Sequence, residues 1–344
     1  AEGATKILKN EMIVTVNGAT GEVFKGKMII SSQQQQAYGD ISWRASKKLK
    51  TITKVYVNLA EPEQASKIAA TNVDGVGLLR AEFMIAQIGV HPKEFLRNKK
   101  KSLFVNKLTA NLLKFVRSFA PRPVVYRATD FKTNEYRHLK GGDRYEPVEE
   151  NPMLGFRGAS RYINQPEVFG MELESIKKIW KLGYRNLHLM IPFVRVPWEL
   201  IRIKEIINSY GLFDYPQFKL WIMVEVPSCA LNLEEFIKIG IDGVSIGTND
   251  LTMMILGVDR DNPEVASIYD ERNPVVVSVL EYIINICRDH NITVSICGQA
   301  ASDYPELVEK LVKKGITSVS VNPDAIERTR ELIYEIEKKH FNKT

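Results

Sequence analysis

Cysteine is scarce in this sequence, with only Cys229, Cys287 and Cys297 among 344 residues. So few thiols, so widely spaced, exclude a disulfide scaffold and a cysteine-built zinc site, and they favour a reducing, cytoplasmic setting. Long apolar runs are missing as well. The longest, such as "VSVLEYIINI", are broken by charged or polar residues, which excludes a membrane-spanning helix. No secretory leader pattern is present, and a chain starting at Ala1 rather than Met reads as a processed or cloned fragment. Basic residues exceed acidic ones by a net +6, yet the dense runs are limited to "RNKKK" (97–101) and "SKKLK" (46–50). Neither is interleaved with aromatics, so both read as solvated faces, not a nucleic-acid surface.

What is present is the composition of a large folded core, 44% hydrophobic and 26% charged. The length suits one α/β barrel, about 250 residues, with an appendage. The first segment, "MIVTVNGATGEVFKG" (12–26), reads as two strands joined at Asn17-Gly18, a pair that tolerates the positive φ of a tight hairpin. Such a piece cannot bury a core alone and looks like the edge of another domain. Residues 31–53 are polar without a sustained period and read as a linker. From Lys54 to the end, short β-branched runs alternate with amphipathic helical segments. The runs are "KVYVNL" (54–59), "DGVGLL" (74–79), "PVVYRA" (123–128), "LHLMIP" (187–192), "KLWIMVE" (219–225), "DGVSIG" (242–247), "ITVSIC" (292–297) and "TSVSVN" (317–322). Near-continuous apolar strands, each followed by a helix, predict parallel pairing buried on both faces and closure as a (β/α)8 barrel over residues 54–344. A doubly wound open sheet is the alternative.

Active groups of such a barrel belong at the carboxyl ends of its strands. There the sequence puts Arg80, Arg127, Glu225, Asn249, Asp250 and Cys297. Glu225 and Asp250 come from neighbouring strands and would repel unless a cation held them, as Mg2+ handling a phosphorylated compound would. The alternative is that each caps the helix that follows. Arg80, Arg127 and Arg157 stand among apolar residues, where a guanidinium is costly unless it meets an anion. The plainer reading pairs them with Glu82, Asp130 and Glu150. The "IGTNDL" turn exposes backbone N–H groups that can hold an anionic oxygen. Together these groups suit enolate formation from a small keto acid, with a phosphoryl group moving onto or off the oxygen. The carbon end needs an acid or base. No histidine occupies the strand ends: His91, His138, His188, His290 and His340 fall elsewhere. Cys297 is the titratable group left, beside Gly298, which would let substrate approach; nearby cations would favour its thiolate. Its alternative is a small core side chain, the default for Cys229 and Cys287.

Seven stretches resemble the carboxyl-terminal domain of the phosphoenolpyruvate-utilising enzymes: "DGVGLLRAEFMI", "DFKTNEYRHLKGG", "YEPVEENPMLGFRGASRYI", "MIPFVR", "IMVEVPSCAL", "IGTNDLTMMILGVDRD" and "SICGQAA". The block from "NEYRHLKGG" to "FRGASR" is most similar to the synthase branch. The resemblance implies a barrel that binds phosphoenolpyruvate or pyruvate with Mg2+. By position, Arg80 and Arg127 would hold the transferring phosphoryl group, with Arg157 nearby. Glu225 and Asp250 would bind Mg2+. Backbone at Thr248 and Asn249, with Arg260, would fix the substrate, and Cys297 would exchange the methyl proton of pyruvate. A homodimer or larger homo-oligomer through the barrel is implied too. Synthases of this type also carry an ATP-binding domain and a swivelling phosphohistidine domain. Residues 1–30 resemble only the tail of the latter, and neither a nucleotide-binding loop nor the phosphohistidine motif is found here. The chain is thus expected to need a phosphohistidine from a missing domain. The competing expectations are a lyase of the phosphoenolpyruvate mutase type, and a barrel serving mainly as a dimerisation or assembly module.

Overall fold

The structure, a computed structural model, describes residues 7–9, 12–16, 23–26 and 49–341. It divides into two compact units, residues 1–48 and 49–344. In the first, β1 (Val14–Val16) pairs antiparallel with β2 (Val23–Lys25), Thr15 facing Phe24. The Thr15 hydroxyl donates to the Gly26 carbonyl at 2.8 Å. The expected Asn17-Gly18 turn lies outside the described residues.

The second unit is a closed parallel barrel of eight strands. They are β3 (Lys54–Leu59), β4 (Gly75–Arg80), β5 (Val124–Arg127), β6 (Leu187–Ile191), β7 (Leu220–Val224), β8 (Gly243–Ile246), β9 (Thr293–Ile296) and β10 (Ser318–Val321). Each coincides with one of the apolar runs, and the closed order β10-β3-β4-β5-β6-β7-β8-β9 rules out the open sheet. Strand alternation splits their side chains into two sets. Val55, Val57, Val244, Ile246, Val294, Ile296, Val319 and Val321 face outward into the main core beneath the helices. A smaller inner cluster holds Leu78, Val125, Met190, Trp221, Met223 and Cys297. The helices follow the same logic. In Pro274–Asp289, Asn273 caps the first turn by accepting from the Val275 N–H at 3.0 Å, and proline opens the helix. Val276, Leu280, Ile283 and Cys287 then recur on one buried face.

Closure joins the two ends of this unit. Ser318 to Val321 of β10 register with Lys54 to Val57 of β3. Glu337, on the final helix Ile326–Phe341, accepts from the backbone N–H groups of Ile52 and Thr53, both at 2.8 Å. Arg330 on that helix donates to the Thr51 hydroxyl and to Asp74, both at 2.6 Å. Residues 49–53, expected in the linker, therefore fall in the barrel unit, where Glu337 satisfies the Ile52 and Thr53 N–H groups. The rest of the linker segment lies outside the described residues. Among the described residues, no helix is long and apolar enough to cross a membrane.

Candidate active site

A cavity of about 410 Å³ opens at the carboxyl ends of the strands. Arg80, Arg127, Arg157, Glu225, Asn249, Asp250, Arg260, Cys297 and Gly298 all line it. Thr248 does not. It is fully buried, and its hydroxyl turns away to bond Glu271. Its backbone begins the helix Thr248–Leu256.

The arginines are paired differently from the plain sequence reading. Glu82 bonds Arg127 at 2.9 Å, not Arg80, and also accepts from the Asp130 N–H at 2.6 Å. Asp130 is taken by Arg157, through Nε at 3.1 Å and Nη2 at 2.5 Å, while its nearest oxygen stands 3.9 Å from Arg127. Arg157 Nη2 reaches Asp250 as well, at 2.9 Å. Glu150 plays no part and is exposed; its neighbour Glu149 accepts from Thr133 and Phe156 instead. Arg80 is left without a carboxylate partner among the described residues. Burial and the neighbouring Arg127 charge lower its pKa, the mark of a guanidinium facing too little negative charge. Burial is the largest single influence on Arg127 and Arg157 and opposes their charge, but the acidic groups around them, led by Glu82 and Asp130 respectively, together outweigh it and raise both pKa values. Arg260 sits at the rim, 3.9 Å from Asp261 and partly exposed.

The carboxylates converge. Ligand oxygens of Asp130, Glu225 and Asp250 lie within 4.8 Å of one another, all buried. Glu225 accepts from the Phe193 N–H at 2.8 Å. Burial, then the charges of Asp250 and Asp130, push its pKa up to about 8. A divalent cation would relieve that repulsion, and three carboxylates are the hard oxygen donors Mg2+ prefers. The donor set therefore fits the ion. Asp130 was not foreseen as a member of the cluster. The signal was its place in "RATDF", just past the β5 strand end, on the same rim as Glu225.

Cys297 continues β9 by one residue, and its thiol donates to the Ile246 carbonyl at 3.5 Å. It lines the cavity and also packs against the inner cluster. Burial pushes its pKa up to about 11, while Ser245, Arg127 and Arg80 pull the other way. Arg127 and Arg80 thus pull toward the thiolate, as the sequence reading has it, but burial is the larger influence. Gly298 lines the cavity too, but its missing side chain serves a second purpose. A Cβ there would stand 1.7 Å from Thr248 Oγ1 and 3.0 Å from the Thr248 backbone nitrogen. Gly247 is similar, because a Cβ would meet Glu225 Oε2 at 2.8 Å. The N–H of Gln299 donates to Asn249 Oδ1 at 3.0 Å, tying the loop after Cys297 to the helix that carries Asp250.

Residues 34–338 match the family described as PEP-utilising enzyme, PEP-binding domain. The chain is 44% identical over 339 residues to the phosphoenolpyruvate synthase of Pyrococcus furiosus, covering 98% of this chain and 41% of that protein. It is 44% identical over 351 residues to that of Aeropyrum pernix, covering 98% and 42%. For that of Helicobacter pylori the figures are 36% over 362 residues, covering 95% and 44%. The chain spans less than half the length of these relatives. With the barrel, the cavity and these matches in agreement, the chain belongs to the PEP-utilising enzymes, as their PEP-binding domain.

Proposed function

We propose that this barrel is the catalytic domain of a phosphoenolpyruvate synthase-like phosphotransferase, interconverting pyruvate and phosphoenolpyruvate. The observation that carries the reading is the Cys297 thiol, lining the same cavity as the three carboxylates and the Arg80 guanidinium, which has no carboxylate partner among the described residues. Arg80 and Arg127 receive the phosphoryl group, as planar donors beside each other suit its oxygens. Arg260 and the backbone at Thr248 and Asn249 take the carboxylate of the substrate. Arg157 holds Asp130 and Asp250 in place. Mg2+ on Glu225 and Asp250, with Asp130 alongside, would supply positive charge against the developing enolate and phosphoryl oxygens. Cys297 carries the proton for the methyl carbon, donating it toward pyruvate and accepting it toward phosphoenolpyruvate.

The phosphoryl group comes from a phosphohistidine on a swivelling domain, charged in turn by an ATP-binding domain; the hairpin unit is the tail of the former. The barrel self-associates, in a cytoplasmic enzyme. The test is deuterium exchange into the pyruvate methyl group, with Mg2+, followed by NMR. The unsubstituted chain exchanges, whereas Cys297→Ala does not, though it binds phosphoenolpyruvate as before by calorimetry. Equal exchange in both would remove the thiol from its role.

A further inference from the structure

The barrel interior is wetter in chemistry than its fold requires. Such barrels are normally filled by branched apolar side chains. Here Ser245, Ser295 and Ser318 point inward from β8, β9 and β10, between the outward Val244, Ile246, Val294, Ile296 and Val319. Their exposures are 0%, 1% and 2%, and among the described residues none of the three hydroxyls has a hydrogen-bond partner of good geometry. Nor do His188 Nδ1 and Trp221 Nε1, on neighbouring inward positions. Buried polar atoms left bare in this way are costly, and a cluster of them is where ordered water belongs.

The serines are not scattered. Ser245 registers with Ser295, Ser295 with Ser318, and Ser318 with Lys54. None of these hydroxyls bonds the next directly, and with adjacent strands about 4.8 Å apart a single water can bridge each pair. Because barrel strands tilt, a row running across them climbs along the axis. Its lower end is at the opposite mouth. There Ser318, Lys54, Tyr56, His188, Lys219 and Trp221 line a second cavity of about 300 Å³. Its upper end is Ser245, next in the chain to Ile246, whose carbonyl accepts from the Cys297 thiol at 3.5 Å, and the Ser245 hydroxyl favours the thiolate.

We propose that this hydrated serine row is a proton path, connecting solvent in the cavity at the amino-terminal mouth with the Cys297 thiol. The inference rests on the role given to that thiol above. When Cys297 protonates the enolate carbon, a C–H bond forms, the S–H bond breaks and the electron pair stays on sulfur. Sulfur then takes a proton from Ser245 or the water beside it, and each member of the row is replenished by the next. One proton enters from bulk water at the lower cavity, and the reverse reaction sends one out. The bound substrate covers the thiol from above, so supply from below lets it recover its proton while the upper cavity stays closed to water.

Threonine and valine have the same shape and differ by one hydroxyl, so Ser295→Thr and Ser295→Val separate the hydroxyl from the added bulk. In the pyruvate methyl-exchange assay with Mg2+, Ser295→Val is expected to slow exchange by about 10-fold or more, on the scale of a lost proton-transfer group. Ser295→Thr stays near the unsubstituted rate. Phosphoenolpyruvate affinity by calorimetry is the same in both. Should bulk at this position prevent folding, the same pair at Ser318, beside the lower cavity, gives the same comparison. Equal exchange in the valine and threonine variants would overturn the path, meaning the thiol is reprotonated from the substrate side. No exchange in the unsubstituted chain would instead overturn the proposed role of Cys297, and the path with it.

Discussion

Gly298→Ala tests how tightly the loop after β9 is fitted to the helix that carries Asn249 and Asp250. The new methyl would start 1.7 Å from Thr248 Oγ1, 2.8 Å from its Cβ and 3.0 Å from its backbone nitrogen. Rotating the hydroxyl away relieves only the first overlap, and it breaks the bond to Glu271, a carboxylate that is 3% exposed. The other two overlaps require the first turn of the helix to shift by a few tenths of an ångström. Overpacking of this kind costs about 1–3 kcal/mol, and a lost hydrogen bond to a charged group about 1.5–3 kcal/mol. The sum, about 2.5–6 kcal/mol, corresponds to a fall in melting temperature of about 5–24 °C at about 2–4 °C per kcal/mol for a large domain. Calorimetric melting of the single variant, of Thr248→Ala and of the double variant measures it directly. Removing Thr248 Oγ1 should make room for the methyl, giving a favourable coupling of at least about 1 kcal/mol. A melting temperature unchanged by Gly298→Ala, or strictly additive losses in the double variant, would refute the steric argument. Mg2+ affinity falls alongside stability, because Asp250 rides on the turn that moves.

Three further outcomes follow from the same cavity. Arg80→Met should weaken phosphoenolpyruvate binding by about 10- to 150-fold, the worth of charge-assisted bonds to a phosphate, without lowering the melting temperature. An unaffected dissociation constant in calorimetry would show that the unpaired guanidinium does not meet the phosphoryl group. Arg157→Met leaves Asp130 and Asp250 buried without their cation, so denaturant unfolding should register a loss of about 3–5 kcal/mol, part of it recovered with Mg2+. A stability equal to the unsubstituted chain would sink that account. Burial, then the Lys219 charge, lowers the His188 pKa from 6.5 to about 4. The unfolded chain therefore binds a proton that the native state refuses. The stability this contributes is complete above about pH 6.5 and is lost as pH falls through 4, up to about 3 kcal/mol. His188→Gln should flatten this part of the unfolding profile between pH 6.5 and 4, and an unchanged slope would exclude the histidine as its source.

The barrel was legible because its strands are buried on both faces and so read as unbroken apolar runs. The rim residues were legible for the same reason, since a charged or polar group that ends such a run stands out. What the sequence concealed are pairings that depend on where loops fold back. Arg157 reaches Asp130, 27 positions away, and Asp250, 93 away, while Glu150, much nearer in sequence, turns to solvent. Asp130 could be read as a partner for Arg127 but not as the third member of an acidic cluster, because that depends on three separate loops meeting. The role of Gly298 was hidden likewise: its need for hydrogen in place of a side chain is set by Thr248, on a different strand's loop. The state of Cys297 depended on a balance between burial and charge, and only the enclosed geometry shows that burial prevails.

The bond between Thr53 N–H and Glu337 Oε1 spans 284 positions in the chain. A ribosome making this protein would therefore release the first strand of the barrel long before its neighbour β10 or the clasp on the last helix exists. Until then β3 has an open edge, and neither the acidic cluster nor the thiol is enclosed. Substitutions that weaken the clasp at Glu337 should therefore act first on the yield of folded protein during synthesis, even where the finished barrel is intact.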